Sequence, residues 1–352
     1  MGRVASVTLT LTKQELIDAV TPVAAVVPQR TPLEQLQNIE IEARLSSLVV
    51  RGTNGQTWVE TRTDVGGDIA RLALPCVLFY AVINSLPDGS VTLKSDGKRL
   101  TLTTESSTDH LPIIPDDTYS RVHKFEEAPG FKIKGSMMKT GLRKVDFAVG
   151  TQASDVRWHG VLLKCTPEYL CFVAGDGKCV AAYTVKGDTK IKKTLEAIVP
   201  FAAIKLAAKS FPEGEKVSIE IGTDHVSFVT DGLTIASVLI NGPYPPYDAV
   251  MEKCRGMIAT TATIPSAEAL FAIKRKAPYV DEYGITTLSF EKDMLHVKAE
   301  MKGADSTDSL VVGFEGDHTT VHFPIKQLIG SIEGAGTEKF TLGISTNARE
   351  GV

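Results

Sequence analysis

The chain has 352 residues, 43% hydrophobic and 23% charged, with a formal charge of −4 at pH 7. This is the composition of a folded globular protein longer than one ordinary domain, and the charge excludes a general positive coat that would hold nucleic acid. No window approaches the ~20 apolar residues of a membrane span, and five cysteines without C-x-x-C spacing suit a reducing compartment, so a cytoplasmic protein is expected.

Taken in chain order, MGRVASVTLTLT alternates like a strand and lacks the apolar core of a signal peptide. A helix is predicted over 11–27, then strands in NIEIEARLSSLVVRGT, a helix over 75–86, and a hairpin in SVTLKSDGKRLTLTT (90–104). The series begins again with a helix in 135–149 and strands in GVLLKCTPEYLCFVAGDG, where AGDGK (174–178) reads as a hairpin turn. A helix over 200–211 and a hairpin in KVSIEIGTDHVSFVT (216–230) follow. A third round has a helix over 265–278, strands in GITTLSFEKDMLHVKAE, a helix over 324–334, and KFTLGIST (339–346), expected as a hairpin.

LPCVLFYAVINSLPDG (74–89) and VPFAAIKLAAKSFPEG (199–214) share their form, and FPIKQLIGSIEG (323–334) is a weaker copy. Their opening prolines, Pro75, Pro200 and Pro324, are spaced by 125 and then 124 residues. Proline fits the first turn of a helix, where its missing N–H has no partner in any case. The Pro-Asp-Gly and Pro-Glu-Gly that follow are stop signals. The predicted fold is therefore α+β: three tandem units, 1–125, 126–255 and 256–352, each a doubled module of helix plus antiparallel strands.

Across the six predicted repeat helices the charge is +5, leaving −9 on the rest of the chain. The cations include Lys139 and Arg143, Lys205 and Lys209, and Lys274, Arg275 and Lys276. Cationic helices in an acidic body suit a polyanion bound through its phosphates, without regard to base sequence. Enzyme signatures are absent: there is no phosphate-binding G-x-x-x-x-G-K-[ST] and no G-x-S-x-G. HTTVH (318–322) lacks the remainder of a metal motif. No catalysis, cofactor or metal is expected.

Three such units resemble the bacterial DNA sliding clamps, the beta subunit of DNA polymerase III, over nearly the whole chain. TPLEQLQNIEIEARLSSLVVRGTN with SLPDG is similar to the first clamp domain, and DVRWHGVLLKCTPEYLCFVAGDGKCVAAYTV to the second. VPFAAIKLAAKSFPEG followed by GPYPPYDAV is similar to the end of that second domain. The resemblance implies a head-to-tail homodimer closing into a ring around duplex DNA, with the helix cations facing the duplex. It also implies a DNA polymerase and other partners docked through short peptides, and a separate ATP-dependent loader.

By position, the resemblance sets Gln29, Arg30, Gln152, Arg157, Trp158 and His159 near DNA. It sets Val156, Gly175, Gly177, Lys178, Cys179, Val180, Pro245, Val250, Tyr283 and Gln327 at the peptide pocket between the second and third domains. Ala277 and Pro278 fall at the dimer contact, facing strand residues around Leu100–Thr104 of the other copy. The chain departs from the family at Lys178 and Cys179, where clamps carry histidine and arginine, and at Ala249, where they carry arginine. It also stops at TNAREGV, before the strand that walls the family pocket. The competing reading is a β-rich three-domain scaffold that binds peptides or glycans and never encircles DNA.

Overall fold

The computed structural model describes residues 8–44, 46–115, 128–186 and 191–345. The predicted boundary near 125 and the TNAREGV tail lie outside the described residues. Seven α-helices are described: α1 Lys13–Ala24, α2 Cys76–Ser85, α3 Gly135–Arg143, α4 Phe201–Ser210, α5 Tyr247–Gly256, α6 Ser266–Lys274 and α7 Ile325–Ala335. α5 is absent from the sequence reading, which assigned GPYPPYDAV no element. Its prolines instead precede the helix, which starts at Tyr247 directly after Pro246.

Local chemistry explains where the helices begin. At α1, Glu15 N–H donates to Thr12 Oγ1 while Thr12 N–H donates to Glu15 Oε2, so two otherwise unpaired donors satisfy each other. α2, α4, α6 and α7 are each preceded by a proline at the N-cap: Pro75, Pro200, Pro265 and Pro324. These prolines stand one residue earlier than expected from the sequence. Each is also the last residue of a strand, at φ between −52° and −64° with extended ψ, a conformation the pyrrolidine ring already favours.

The described residues fall into two compact units, one drawn from Met1–Lys139 and Thr189–Ile240, the other from Thr140–Asp188 and Asn241–Val352. In the first, a five-stranded antiparallel sheet runs in the order Gly66–Gly67, Thr8–Thr12, Ser90–Ser95, Arg99–Thr103, Thr108–Pro112. An eight-stranded sheet joins the first two repeats, because Thr57–Asp64 pairs with Leu233–Val238. Alternating side chains such as Leu9, Ile39, Val217 and Phe228 are fully buried, together with Phe79 of α2 and Ile204 of α4.

In the second unit, Tyr169–Gly175 pairs with Gly160–Cys165 on one side and Val180–Lys186 on the other. A four-stranded sheet runs Ala304–Val311, Met294–Met301, Ile285–Glu291, Thr319–Pro324. Its core of Leu288, Phe290, Val297 and Val321 is shared with Ile273 of α6 and Ile332 of α7.

The sequence repeat is repeated in pairing. In all three rounds the strand before the first helix pairs antiparallel with the strand after the second: Thr8–Thr12 with Ser90–Ser95, Gly130–Lys134 with Lys216–Ile221, and Ile258–Pro265 with Lys339–Ser345. KFTLGIST is thus one strand, and its partner lies far back in the chain; the expected third hairpin is corrected.

Candidate nucleic-acid interface and partner-peptide site

Gln29 and Arg30 are exposed in the loop after α1. On α4, Ala203, Ile204, Ala207 and Ala208 are buried, so the helical period leaves Lys205 and Lys209 together on the outer face. The Lys205 ammonium also stands 5.4 Å from the centre of the Phe201 ring. Lys139 is half-buried, 3.6 Å from Glu213, whereas Arg143 is exposed at the end of α3.

The cations of α6 are differently placed. Lys274 is 2.6 Å from Glu333, and Arg275 is 2.7 Å from Asp308. Lys276, counted as helix charge in the sequence, is fully buried on Asp308 and on Ser306 Oγ at 2.8 Å. A buried, paired ammonium cannot meet a phosphate, so the sequence count overstates the charge that α6 presents.

The loop after α3 is held by its own polar side chains. Arg157 donates to Asp155 from Nε at 3.0 Å and from Nη2 at 2.6 Å, and from Nη1 to the Pro243 carbonyl at 3.1 Å. The Arg157 guanidinium holds the Asp155 carboxyl down at about 2. His159 donates from Nε2 to the Ala153 carbonyl at 2.8 Å. His159 is committed within its own loop and Arg157 to both Asp155 and Pro243, while Gln152 is exposed.

Trp158, expected near DNA, packs against Gly175, which was expected at the peptide pocket. Its ring lies edge-on to Tyr244 at 5.4 Å, and Tyr244 is 6.1 Å from Tyr247. A Cβ at Gly175 would stand 2.4 Å from Trp158 Cζ3, and one at Gly150 3.0 Å from Trp158 Cβ. Gly175 therefore makes room for the indole, and Gly150 for the approach of Asp176 and the Trp158 Cβ. Burial raises the phenols of both Tyr244 and Tyr247 above their usual range.

The turn of the predicted AGDGK hairpin is held by Asp176. Its Oδ1 accepts from the N–H groups of Lys178 at 2.8 Å and Cys179 at 2.6 Å, and its Oδ2 accepts from Gln327 Nε2 at 2.9 Å. Gly177 supplies the left-handed residue, φ +87°. Gly175, Gly177, Lys178, Cys179 and Gln327 are thereby brought to one place, with Val180 paired across from Gly175. Tyr247 N–H donates to the Pro245 carbonyl at 2.6 Å, which fixes Pro245 beside the aromatic cluster. Val156, Val250 and Tyr283 are exposed apolar side chains, Tyr283 at 71%. Burial pushes the Cys179 thiol up to about 11. Sequence reasoning missed Asp176, Tyr244 and Tyr247; their signals were the Gly-Asp-Gly turn and PYPPY.

At the expected dimer contact, Ala277 and Pro278 are exposed in a short turn after α6, but Leu100 is fully buried. Thr104 is engaged in a turn, its Oγ1 2.8 Å from Ser107 Oγ. Leu100 lies in the strand Arg99–Thr103, and Thr108–Pro112 stands outside that strand as the sheet edge. An interior strand has no free backbone groups to offer, whereas the edge strand does.

Two described cavities, of about 530 Å³ beside Thr10 and Asp64 and about 430 Å³ beside Thr260 and His318, contain none of these residues. Among the described residues no cluster of three metal-ligating side chains occurs, and no helix is long and apolar enough to cross a membrane. His322 of HTTVH is 3.0 Å from Thr287 on a neighbouring strand.

Comparison with known proteins agrees with this architecture. Residues 7–123 match the model of the DNA polymerase III beta subunit N-terminal domain, and residues 132–246 that of its central domain. Curated relatives include a beta sliding clamp of Pseudomonas putida, 25% identical, with 96% of this chain and 92% of the relative covered. One of Chlamydia pneumoniae is 22% identical, with 97% and 94% covered. Among solved structures, a DnaN sliding clamp from Pseudomonas aeruginosa bound to griselimycin is similar at a TM-score of 0.90 and 20% identity, over 97% of this chain and 93% of that one. A sliding clamp from Bacillus subtilis gives 0.89 at 18% identity, over 99% and 97%. With both domain models matched in order along the repeat, this chain belongs to the DNA polymerase III beta subunit family, the beta sliding clamps.

Proposed function

We propose that the chain is a replication processivity factor of the cytoplasm: a homodimeric ring that encircles duplex DNA and tethers the replicative polymerase and other peptide-bearing partners. The observation that carries this reading is the threefold recurrence of strand, helix, sheet and helix along a chain matched by the clamp-domain models. A ring retains DNA by enclosure, so its contacts need only be loose, cationic and indifferent to sequence. The chain is not an enzyme, and with no nucleotide-binding loop it depends on an ATP-driven loader to open.

Arg30, Arg143, Lys205 and Lys209, with Gln29 and Gln152, form the DNA-facing set in this reading. The cleft around Gly175–Val180, Trp158, Tyr244 and Gln327 receives partner peptides. The copies join through sheet edges: Thr108–Pro112 of one faces Ala304–Val311 of the other, beside Ala277 and Pro278. Both are edge strands in their own sheets, with backbone groups available for pairing.

The direct test is solution mass followed by retention on DNA. A dimer that stays on nicked circular plasmid through gel filtration, and leaves when the plasmid is linearised, is expected. A monomer at micromolar concentration, or equal retention on both forms with a loader present, rejects the reading.

A further inference from the structure

We infer that the grip on DNA is concentrated on one repeat helix, α4, through Lys205 and Lys209, and that Lys274 of α6 belongs to the protein's own ion-pair framework and not to the DNA surface. This rests on the clamp reading above and goes further, since it ranks cations that the sequence treats as equals.

The repeat supplies its own controls. Moving back by the 125-residue spacing, Lys205 and Lys209 correspond to Tyr80 and Asn84 of α2; moving forward by 124, to Ile329 and Glu333 of α7. At these two positions the same helix occurs three times with three charges: neutral, cationic and acidic. α2 instead exposes Val77 and Leu78, an apolar surface with nothing to offer a phosphate.

Ion pairing sharpens the difference. α4 contains no carboxylate, and neither of its exposed lysines takes part in an ion pair among the described residues. In the third repeat, Glu333 stands at the position equivalent to Lys209 and holds Lys274 at 2.6 Å. Arg275 and the buried Lys276 share Asp308. In α1, Lys13 is drawn onto the Leu86 carbonyl and toward Asp88 at 3.3 Å. An exposed pair such as Lys274–Glu333 contributes little to stability, but its summed charge is near zero, so an approaching polyanion gains nothing from it. Lys326 on α7 and Arg143 on α3 are single exposed charges. Among the described residues, only α4 of the repeat helices aligns two cations without an ion pair one turn apart on one face.

The test compares three proteins on a labelled linear duplex with free or protein-blocked ends, by anisotropy from 50 to 200 mM salt. K205A/K209A removes the proposed grip with alanines that preserve the helix. K274A/E333A removes the third-repeat pair without changing net charge. K205A/K209A is expected to bind about tenfold or more weaker at 50 mM salt, with a salt slope shallower by about 2 for each engaged protomer. K205R/K209R is expected to restore binding, and K274A/E333A to stay within about twofold of the parent. Comparable loss in K274A/E333A, or parental binding by K205A/K209A, overturns the inference. Equal binding of the parent to free-ended and blocked duplexes would instead overturn the clamp reading itself. Matching circular dichroism and melting curves establish that each variant is folded.

Discussion

The indole of Trp158 occupies the space that a side chain at position 175 would need: a Cβ built on Gly175 falls 2.4 Å from Trp158 Cζ3. Gly175→Ala therefore forces an overpacked contact against the indole, which costs about 1–3 kcal/mol. Urea unfolding of G175A, W158A and the double variant checks this. The cost of the alanine is expected to fall by at least half once the indole is removed, because the two positions are in contact and not additive. Emission of Trp158 in a Trp58→Phe background is expected to shift in G175A.

Asp176 organises the neighbouring turn by accepting from Lys178, Cys179 and Gln327. Asp176→Ala strips all three and leaves two turn N–H groups without their acceptor, at about 1–3 kcal/mol in total. Gln327→Ala removes one bond, at about 1 kcal/mol. The effect on partner-peptide affinity, by calorimetry, is expected in the same order, with D176A the weaker binder.

Lys276 offers a sharper asymmetry. Its ammonium is fully buried against Asp308, so Asp308→Ala leaves a buried charge unpaired and is expected to destabilise by about 3–5 kcal/mol. K276M/D308A, which removes both charges, is expected to recover most of that loss. Chemical denaturation of the two variants decides it; equal stabilities would mean that the pair is not load-sharing in the folded state.

The Asp155–Arg157 pair predicts a pH dependence of definite sign. The folded carboxyl titrates at about 2, below its ordinary value of 3.8, so its stabilising contribution is full above the ordinary range and is lost as pH falls through about 2. The gap in urea midpoint between the parent and D155N is expected to be largest near pH 7 and to shrink by pH 3.

Cys179 is half-buried, and burial raises its thiol to about 11. Because the thiolate is the reactive species, alkylation at pH 7.5 is expected to run about tenfold or more slower than for a free thiol. Mass-spectrometric peptide mapping over time measures the rate at this residue separately from the other four cysteines. Bound partner peptide is expected to slow it further.

Much of the fold was legible because its signals are local. Alternation in SVTLKSDGKRLTLTT, the prolines before α2, α4 and α7, and the Gly-Asp-Gly turn act over a few residues, and each formed the element its pattern implies. Errors of one residue at the prolines reflect that φ near −65° serves a strand end as well as a helix start. The site was less legible. Trp158 lies in a segment that the family resemblance sets beside DNA, and nothing in DVRWHG announces that Tyr244, 86 residues onward, completes its packing.

The sequence by itself determined the threefold repeat, the order of the six repeat helices and the placing of Lys205 and Lys209 on one face of α4, because periodicity and backbone restriction need no distant partner. Tertiary structure decided which charges are paired internally, which strand is an edge, and which aromatic rings pack together. Those outcomes depend on pairs such as Lys274 with Glu333 and Gln327 with Asp176, whose separation along the chain is unrelated to their separation in space.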